Sequence, residues 1–159
     1  MRILLTKIII NSIINKTLKL RKFVLMNRKT ARENAFILLF ERAIKDGESA
    51  EEIFLKATER RDLEYDDYVK GVFFGSVENA GVIDVTIEKC LVGWKKDRVS
   101  YVSRAILTLA TYEMMFIDDI PAKVSINEAI ELSKKYDDDK AYMFVNGVLN
   151  AVAEDLAIK

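Results

Sequence analysis

The sequence predicts an all-α protein, and three observations carry that prediction. From Thr30 onward, apolar residues recur at three- and four-residue steps, the spacing of one helix face. The segments "TARE" (Thr30 to Glu33), "SAEE" (Ser49 to Glu52) and "SINE" (Ser125 to Glu128) each carry the hydroxyl and carboxylate of a capping box. Pro121 is the one proline in 159 residues, and no alternating strand pattern or internal repeat occurs.

Each element follows in chain order. The first box predicts a helix with Ala35, Phe36, Leu38, Leu39, Phe40 and Ala43 facing inward, ending near Gly47. The second opens a short helix that buries Ile53, Phe54 and Ala57. After Arg60-Arg61, the recurrence of Val69, Val72, Phe73, Val77, Ala80, Ile83, Ile87 and Leu91 predicts one long helix bent near Gly81. At 1.5 Å per residue, its roughly 28 residues make about 42 Å. "GWKKDRVS" (Gly93 to Ser100) reads as a turn and a short helix. Val102, Ala105, Ile106, Leu109, Ala110 and Met114 then mark a helix from Ser100 to Phe116, which "DDIP" (Asp118 to Pro121) ends, because a residue before proline avoids the helical region. The "SINE" box predicts the next helix, through Lys135, and the polar joint "YDDD" (Tyr136 to Asp139) opens the last, from Lys140 to Leu156.

That last helix contains Asn146-Gly147, a dipeptide that elsewhere marks a hairpin turn. Phe144, Val145, Val148, Leu149 and Val152 nevertheless keep helical spacing. A glycine inside a helix costs about 1 kcal/mol relative to alanine. Gly147 is therefore expected to admit a neighbouring backbone, and Asn146 to satisfy a polar group in a neighbouring segment.

Half the residues are apolar and 31 % are charged, a globular profile long enough to bury a core without staples. The lone Cys90 rules out an intramolecular disulfide and fits a reducing, cytoplasmic setting. The zero net charge hides an asymmetry: residues 1–25 hold six basic and no acidic residues, leaving 19 basic against 25 acidic from Met26 onward, a net of −6. Any nucleic-acid surface must be a local patch on an acidic body.

Residues 1–25 form a leader without Ala, Gly, Pro, Asp or Glu. The leader lacks the uninterrupted apolar core and small-residue cleavage site of a signal peptide. Two readings remain: a basic amphipathic or disordered extension, or translation assigned from too early a start, with Met26 the true first residue. A chain beginning at Met26 is expected to fold as stably as the whole, with residues 26–159 as a single domain of sub-bundles at about 26–80 and 81–159. No stretch is apolar enough to span a bilayer.

Catalytic chemistry is missing from the sequence. There is no histidine, no Cys-x-x-Cys and no glycine-rich phosphate loop, and the aspartate clusters lack the spacing of a calcium loop. No catalytic residue, metal or cofactor is expected.

"RKTARENAFILLFE" (Arg28 to Glu41), "DRVSYVSRAILTLATYEM" (Asp97 to Met114) after Trp94, "IPAKVSINEAIELSKKY" (Ile120 to Tyr136) and "FVNGVLNAV" (Phe144 to Val152) resemble the NusB family of transcription antitermination factors, from Met26 to about Ala153. The resemblance implies two packed helical bundles sharing a long central helix. It also implies a role: binding single-stranded box A RNA of ribosomal-RNA leader transcripts together with the ribosomal protein NusE, so that RNA polymerase in an antitermination complex reads through terminators. Two alternatives stand beside it. One is a helical RNA-binding module related to the N-terminal domain of RNA cytosine methyltransferases, here without the catalytic half; the other is a structural homodimer.

Arg28, Lys29 and Arg32 form a basic cluster at the start of the first helix, suited to phosphate oxygens. The family's arginine-rich start resembles it, although Thr30 stands where a further basic residue is common. Phe144 matches the family's RNA-contacting aromatic and is the stacking candidate. Lys140, one turn earlier, replaces an acidic residue of some relatives and joins the RNA-binding set. The NusE contact is expected on the exposed face of the "SYVSRAILTLATYEM" helix, at Ser103, Tyr112 and Glu113.

Overall fold

The computed structural model describes residues 26–45, 47–94 and 96–158; the leader reading at residues 1–25 lies outside them. Seven α-helices make up the fold among these residues: α1 (Arg28–Ile44), α2 (Ala50–Leu55), α3 (Asp67–Glu78), α4 (Ala80–Cys90), α5 (Tyr101–Phe116), α6 (Ala122–Tyr136) and α7 (Ala141–Asp155). A π-helical turn, Lys56–Arg60, continues α2, and a 3₁₀ turn, Lys96–Arg98, precedes α5.

The hub is α5, which packs against α1, α3, α4, α6 and α7. Its sequence explains the position: Ala105, Ile106, Leu107, Leu109 and Ala110 bury successive faces, and a helix apolar nearly all round belongs inside. Because α1 packs on α5, the segments before and after residue 80 share one core, with Phe73, Leu38, Ile53, Ile83 and Leu149 fully enclosed.

One capping box forms as expected. Ser49 caps α2 by accepting from the Glu52 N–H, and the Glu52 carboxylate accepts from the Ser49 N–H at 2.9 Å. The other two are displaced because their helices start earlier. Asn27 caps α1, its Oδ1 accepting from the Thr30 N–H at 2.9 Å, so Thr30 lies inside the helix. Pro121 stands at the start of α6, where it needs no N–H partner, and Ser125 falls a turn inside with its hydroxyl turned to the core.

The long helix predicted between Arg61 and Leu91 is two, α3 and α4, parted at Asn79 rather than bent at Gly81. Asn79 Nδ2 donates to the Gly75 carbonyl at 2.8 Å, and that carbonyl also takes the Asn79 backbone N–H at 3.0 Å. A side chain competing for the backbone carbonyl in this way loosens the helical ladder.

The expectation for Asn146-Gly147 is corrected. Gly147 is exposed, and among the described residues no atom outside its own stretch of helix lies within 4 Å of where its Cβ would stand. Among the described residues, the Asn146 side chain accepts from Asn150 Nδ2 at 2.9 Å, one turn along α7. The close approach occurs at Gly75 instead, where a Cβ would come within 2.2 Å of the Tyr112 hydroxyl and 2.6 Å of its ring. A glycine in α3 thus seats the Tyr112 ring of α5.

The two glycines predict opposite signs. Gly147→Ala is expected to stabilise the chain by up to about 1 kcal/mol through helix propensity. Gly75→Ala gains the same term but displaces a rigid ring, for a net loss of about 1–2 kcal/mol. Chemical denaturation of both variants checks the pair, and equal shifts would contradict the seating of Tyr112.

Candidate nucleic-acid interface

The basic cluster at the start of α1 is divided by the fold. Arg28 and Lys29 are exposed, whereas Arg32 is 5 % exposed and cannot present its guanidinium to a strand. Arg32 Nε instead donates to Glu113 Oε1 at 2.8 Å. Glu113 is fully buried, and the same carboxylate accepts from the Ser125 hydroxyl at 2.6 Å and from the Tyr68 hydroxyl. Two site expectations are thereby corrected together: Arg32 is not a surface cation, and Glu113 is not on an exposed face. Each is the other's partner in the interior.

Tyr68 links this network to the surface. Its burial, and next the nearby Glu113 charge, push its hydroxyl above the ordinary tyrosine range, so it stays a neutral donor. The Arg28 guanidinium lies 5.1 Å from the centre of the Tyr68 ring, within cation–π distance. The buried carboxylate fixes a hydroxyl, and the ring of that hydroxyl supports an exposed arginine.

Lys29 borders a cleft of about 230 Å³ between α1 and α6, together with Arg32, Glu33, Glu128, Lys134 and Lys135. Glu33 accepts from Lys135 Nζ at 2.5 Å and from the Tyr136 hydroxyl. Those bonds hold its carboxyl below the usual carboxylate range. Much of this cleft's charge is therefore matched internally, which leaves Arg28 and Lys29 as the cations of the α1 start that face solvent.

Phe144 and Lys140 stand elsewhere, at the start of α7. Phe144 is half-buried: one side packs on the core, and its ring centre lies 4.8 Å from that of Trp94, inclined at 50°. Lys140 is exposed on the rim of the same groove, a cavity of about 420 Å³ that also includes Arg98, Ser103 and Asp137. Ser103 is buried and committed to structure, its backbone N–H donating to Ser100 Oγ at 2.9 Å and its hydroxyl to Asp137 Oδ2 at 2.6 Å. Of the three expected partner contacts only Tyr112 keeps surface, with its ring 5.1 Å from that of Phe116, itself 43 % exposed.

The structure thus brings Phe144 and Lys140 together, and Arg28 and Lys29 together, but not the two pairs. Ser103 beside the groove and Glu113 beneath the α1 start are ten residues apart on α5, about 15 Å of helix axis. Sequence reasoning missed Trp94 and Tyr68 as members of these surfaces. Trp94 carried a signal, an isolated tryptophan after a glycine in a polar turn; Tyr68 carried none, since only the tertiary fold brings it to Arg28. Among the described residues no metal-binding cluster occurs, and no helix is long and apolar enough to cross a membrane.

Comparison with known proteins places this geometry. Two relatives named transcription antitermination protein NusB are similar along most of their length. The one from Bacillus licheniformis is 47 % identical over 131 residues, covering 82 % of this chain and 99 % of its own. The one from Bacillus subtilis is 44 % identical over 131 residues, covering 82 % and 98 %. The fold is similar to that of T. maritima NusB, with TM-score 0.73 and 34 % identity over 83 % of this chain and 94 % of that one. It is also similar to NusB in a crystal structure of the antitermination factors NusB and NusE with double-stranded RNA, with TM-score 0.71 and 34 % identity over 80 % and 96 %. With the NusB family model matched from residue 29 to residue 154, the chain belongs to the NusB family.

Proposed function

We propose that this chain is a non-catalytic transcription antitermination factor that binds box A RNA together with NusE and joins RNA polymerase in the cytoplasm. The observation that carries the reading is the exposed pairing of cations with an aromatic groove on an otherwise acidic body, in a fold similar to one crystallised with NusE and RNA. Arg28 and Lys29 hold phosphates, and Phe144 with Lys140 forms the stacking end. A single strand bridges the two, because an unstacked backbone can follow the surface between them without the rigidity of a duplex. NusE takes the Tyr112–Phe116 edge, where two aromatic rings meet solvent.

Binding to RNA alone is expected to be weak, since a net charge of −6 from Met26 onward opposes phosphate beyond the local patches. NusE is expected to tighten it, and RNA to tighten NusE by the same factor. Titration of the chain with labelled box A RNA, with and without NusE, reads this directly. Tight binding alone that NusE leaves unchanged would defeat the two-partner reading.

Substitutions separate the two kinds of contact. Arg28→Ala or Lys29→Ala is expected to weaken binding to any strand and to lower the salt slope by about one phosphate each. Phe144→Leu keeps much of the packing volume and is expected to remove about 1–3 kcal/mol of RNA affinity with the fold intact. Full RNA affinity with only a lowered Tm would make Phe144 a core residue alone.

A further inference from the structure

Arg28 is an exposed cation that the fold holds without neutralising it. Arg32, Arg61 and Lys135 each meet a carboxylate, whereas among the described residues Arg28 forms no ion pair. It rests instead on the Tyr68 ring, with the guanidinium carbon 5.1 Å from the ring centre. A carboxylate in that place would orient the side chain equally well, but it would cancel the charge and occupy the N–H donors. A ring face does neither, because it draws the guanidinium by its quadrupole and leaves the donor edge open.

The ring itself is fixed from three sides. Tyr68 stands in the first turn of α3, whose start is capped by the Asp66 carboxylate accepting from the Val69 N–H at 2.8 Å. Its ring packs on the core, and its hydroxyl donates to the buried Glu113 carboxylate. The loop before α3 is tied to α1 by Asn34, whose Nδ2 donates to the Glu64 carbonyl at 2.8 Å. The platform on α3 and the arginine on α1 therefore keep one spacing.

We propose that Tyr68 is a positioning residue for RNA: its ring holds the Arg28 guanidinium at the surface, charged and with its donor edge free, ready to grip a phosphate. The proposal rests on the RNA-binding reading above and adds to it a residue that reading does not use. A free arginine side chain loses rotamer freedom when it grips a phosphate. Arg28 has given up part of that freedom before RNA arrives, so less is lost on binding. Lys29 is the contrast on the same helix turn, exposed and without an aromatic ring beneath it among the described residues. On the scale of an exposed cation–π contact, the gain from Tyr68 is about 2- to 5-fold in RNA affinity.

The test is a double-mutant cycle between Tyr68→Leu and Arg28→Ala in the full chain with NusE present. It is read by anisotropy of labelled single-stranded box A RNA, at a temperature well below the Tm of every variant. Tyr68→Leu removes the ring and should weaken binding about 2- to 5-fold in the parent, yet change nothing further in Arg28→Ala. Tyr68→Phe keeps the ring and loses only the hydroxyl, so it should lower Tm while restoring the parent's RNA affinity. Ser125→Ala takes a different donor from Glu113 and should lower Tm alone. An equal loss from Tyr68→Leu in both Arg28 backgrounds, or RNA affinity that tracks Tm across these variants, would overturn the positioning role and leave the RNA-binding reading standing. Should Tyr68→Leu fail to fold, NMR of the free parent decides: the Arg28 side-chain protons should be shifted upfield by the ring, and unshifted protons would overturn the proposal. Full RNA affinity in Arg28→Ala would overturn both the proposal and the assignment of Arg28 to phosphate. No RNA binding by the parent, with or without NusE, would overturn the RNA-binding reading and the proposal together.

Discussion

One buried carboxylate organises this fold. Glu113 sits fully enclosed near the end of α5 and receives the Arg32 guanidinium from α1, the Ser125 hydroxyl from α6 and the Tyr68 hydroxyl from α3. A lone carboxylate in such a place would be prohibitive to desolvate, so its three donors are a condition of the fold rather than an ornament. Four helices are thereby fixed at one point, and the arrangement specifies orientation as well as contact. Apolar packing alone would let α1 slide along α5; a charge that must meet three donors would not.

The same constraint sorts the cations of α1. A helix turn places Arg28 and Arg32 four residues apart on neighbouring positions of one face, yet their fates differ because Arg32 meets the buried Glu113 carboxylate at 2.8 Å, with Glu128 at 4.0 Å. Arg32 is drawn inward, while Arg28 remains outside, resting on the ring of a tyrosine whose hydroxyl Glu113 holds. Interior and surface are coupled through Tyr68. A change at Glu113 would therefore reach the exposed Arg28 through the Tyr68 ring.

Much of the fold was legible in the sequence because helices announce themselves locally. The apolar spacing placed α1, α5, α6 and α7, and the final helix runs from Ala141 to Asp155 against an expected Lys140 to Leu156. The misplacements share a cause. "TARE" and "SINE" satisfy the capping pattern, but Asn27 and Pro121 were available upstream, and Ser125 was required inside by a carboxylate twelve residues away. The break at Asn79 came from a side chain competing for a carbonyl, which apolar periodicity does not register.

The candidate site was less legible, for a physical reason. Arg32 and Glu113 each look like surface residues to any rule that counts charge, and each is buried only because the other is. Their pairing spans 81 positions and has no local trace. Glycine misled in the same manner: Gly147 stands in the conspicuous motif and faces open space, while Gly75 lies in an unremarked stretch and receives the Tyr112 ring. Phe144 was singled out by the family motif, but the Trp94 ring it packs against comes from fifty residues earlier, a contact that apolar spacing does not register.

The measurement that tests the Glu113 clamp most directly is a double-mutant cycle on stability, with Arg32→Met, Glu113→Leu and the two combined, followed by denaturant unfolding. Each single change strands a buried charge and is predicted to lose about 3–5 kcal/mol, while the combination, which strands neither, loses far less than the sum. Single losses below about 1 kcal/mol that simply add would describe an exposed ion pair and contradict the account.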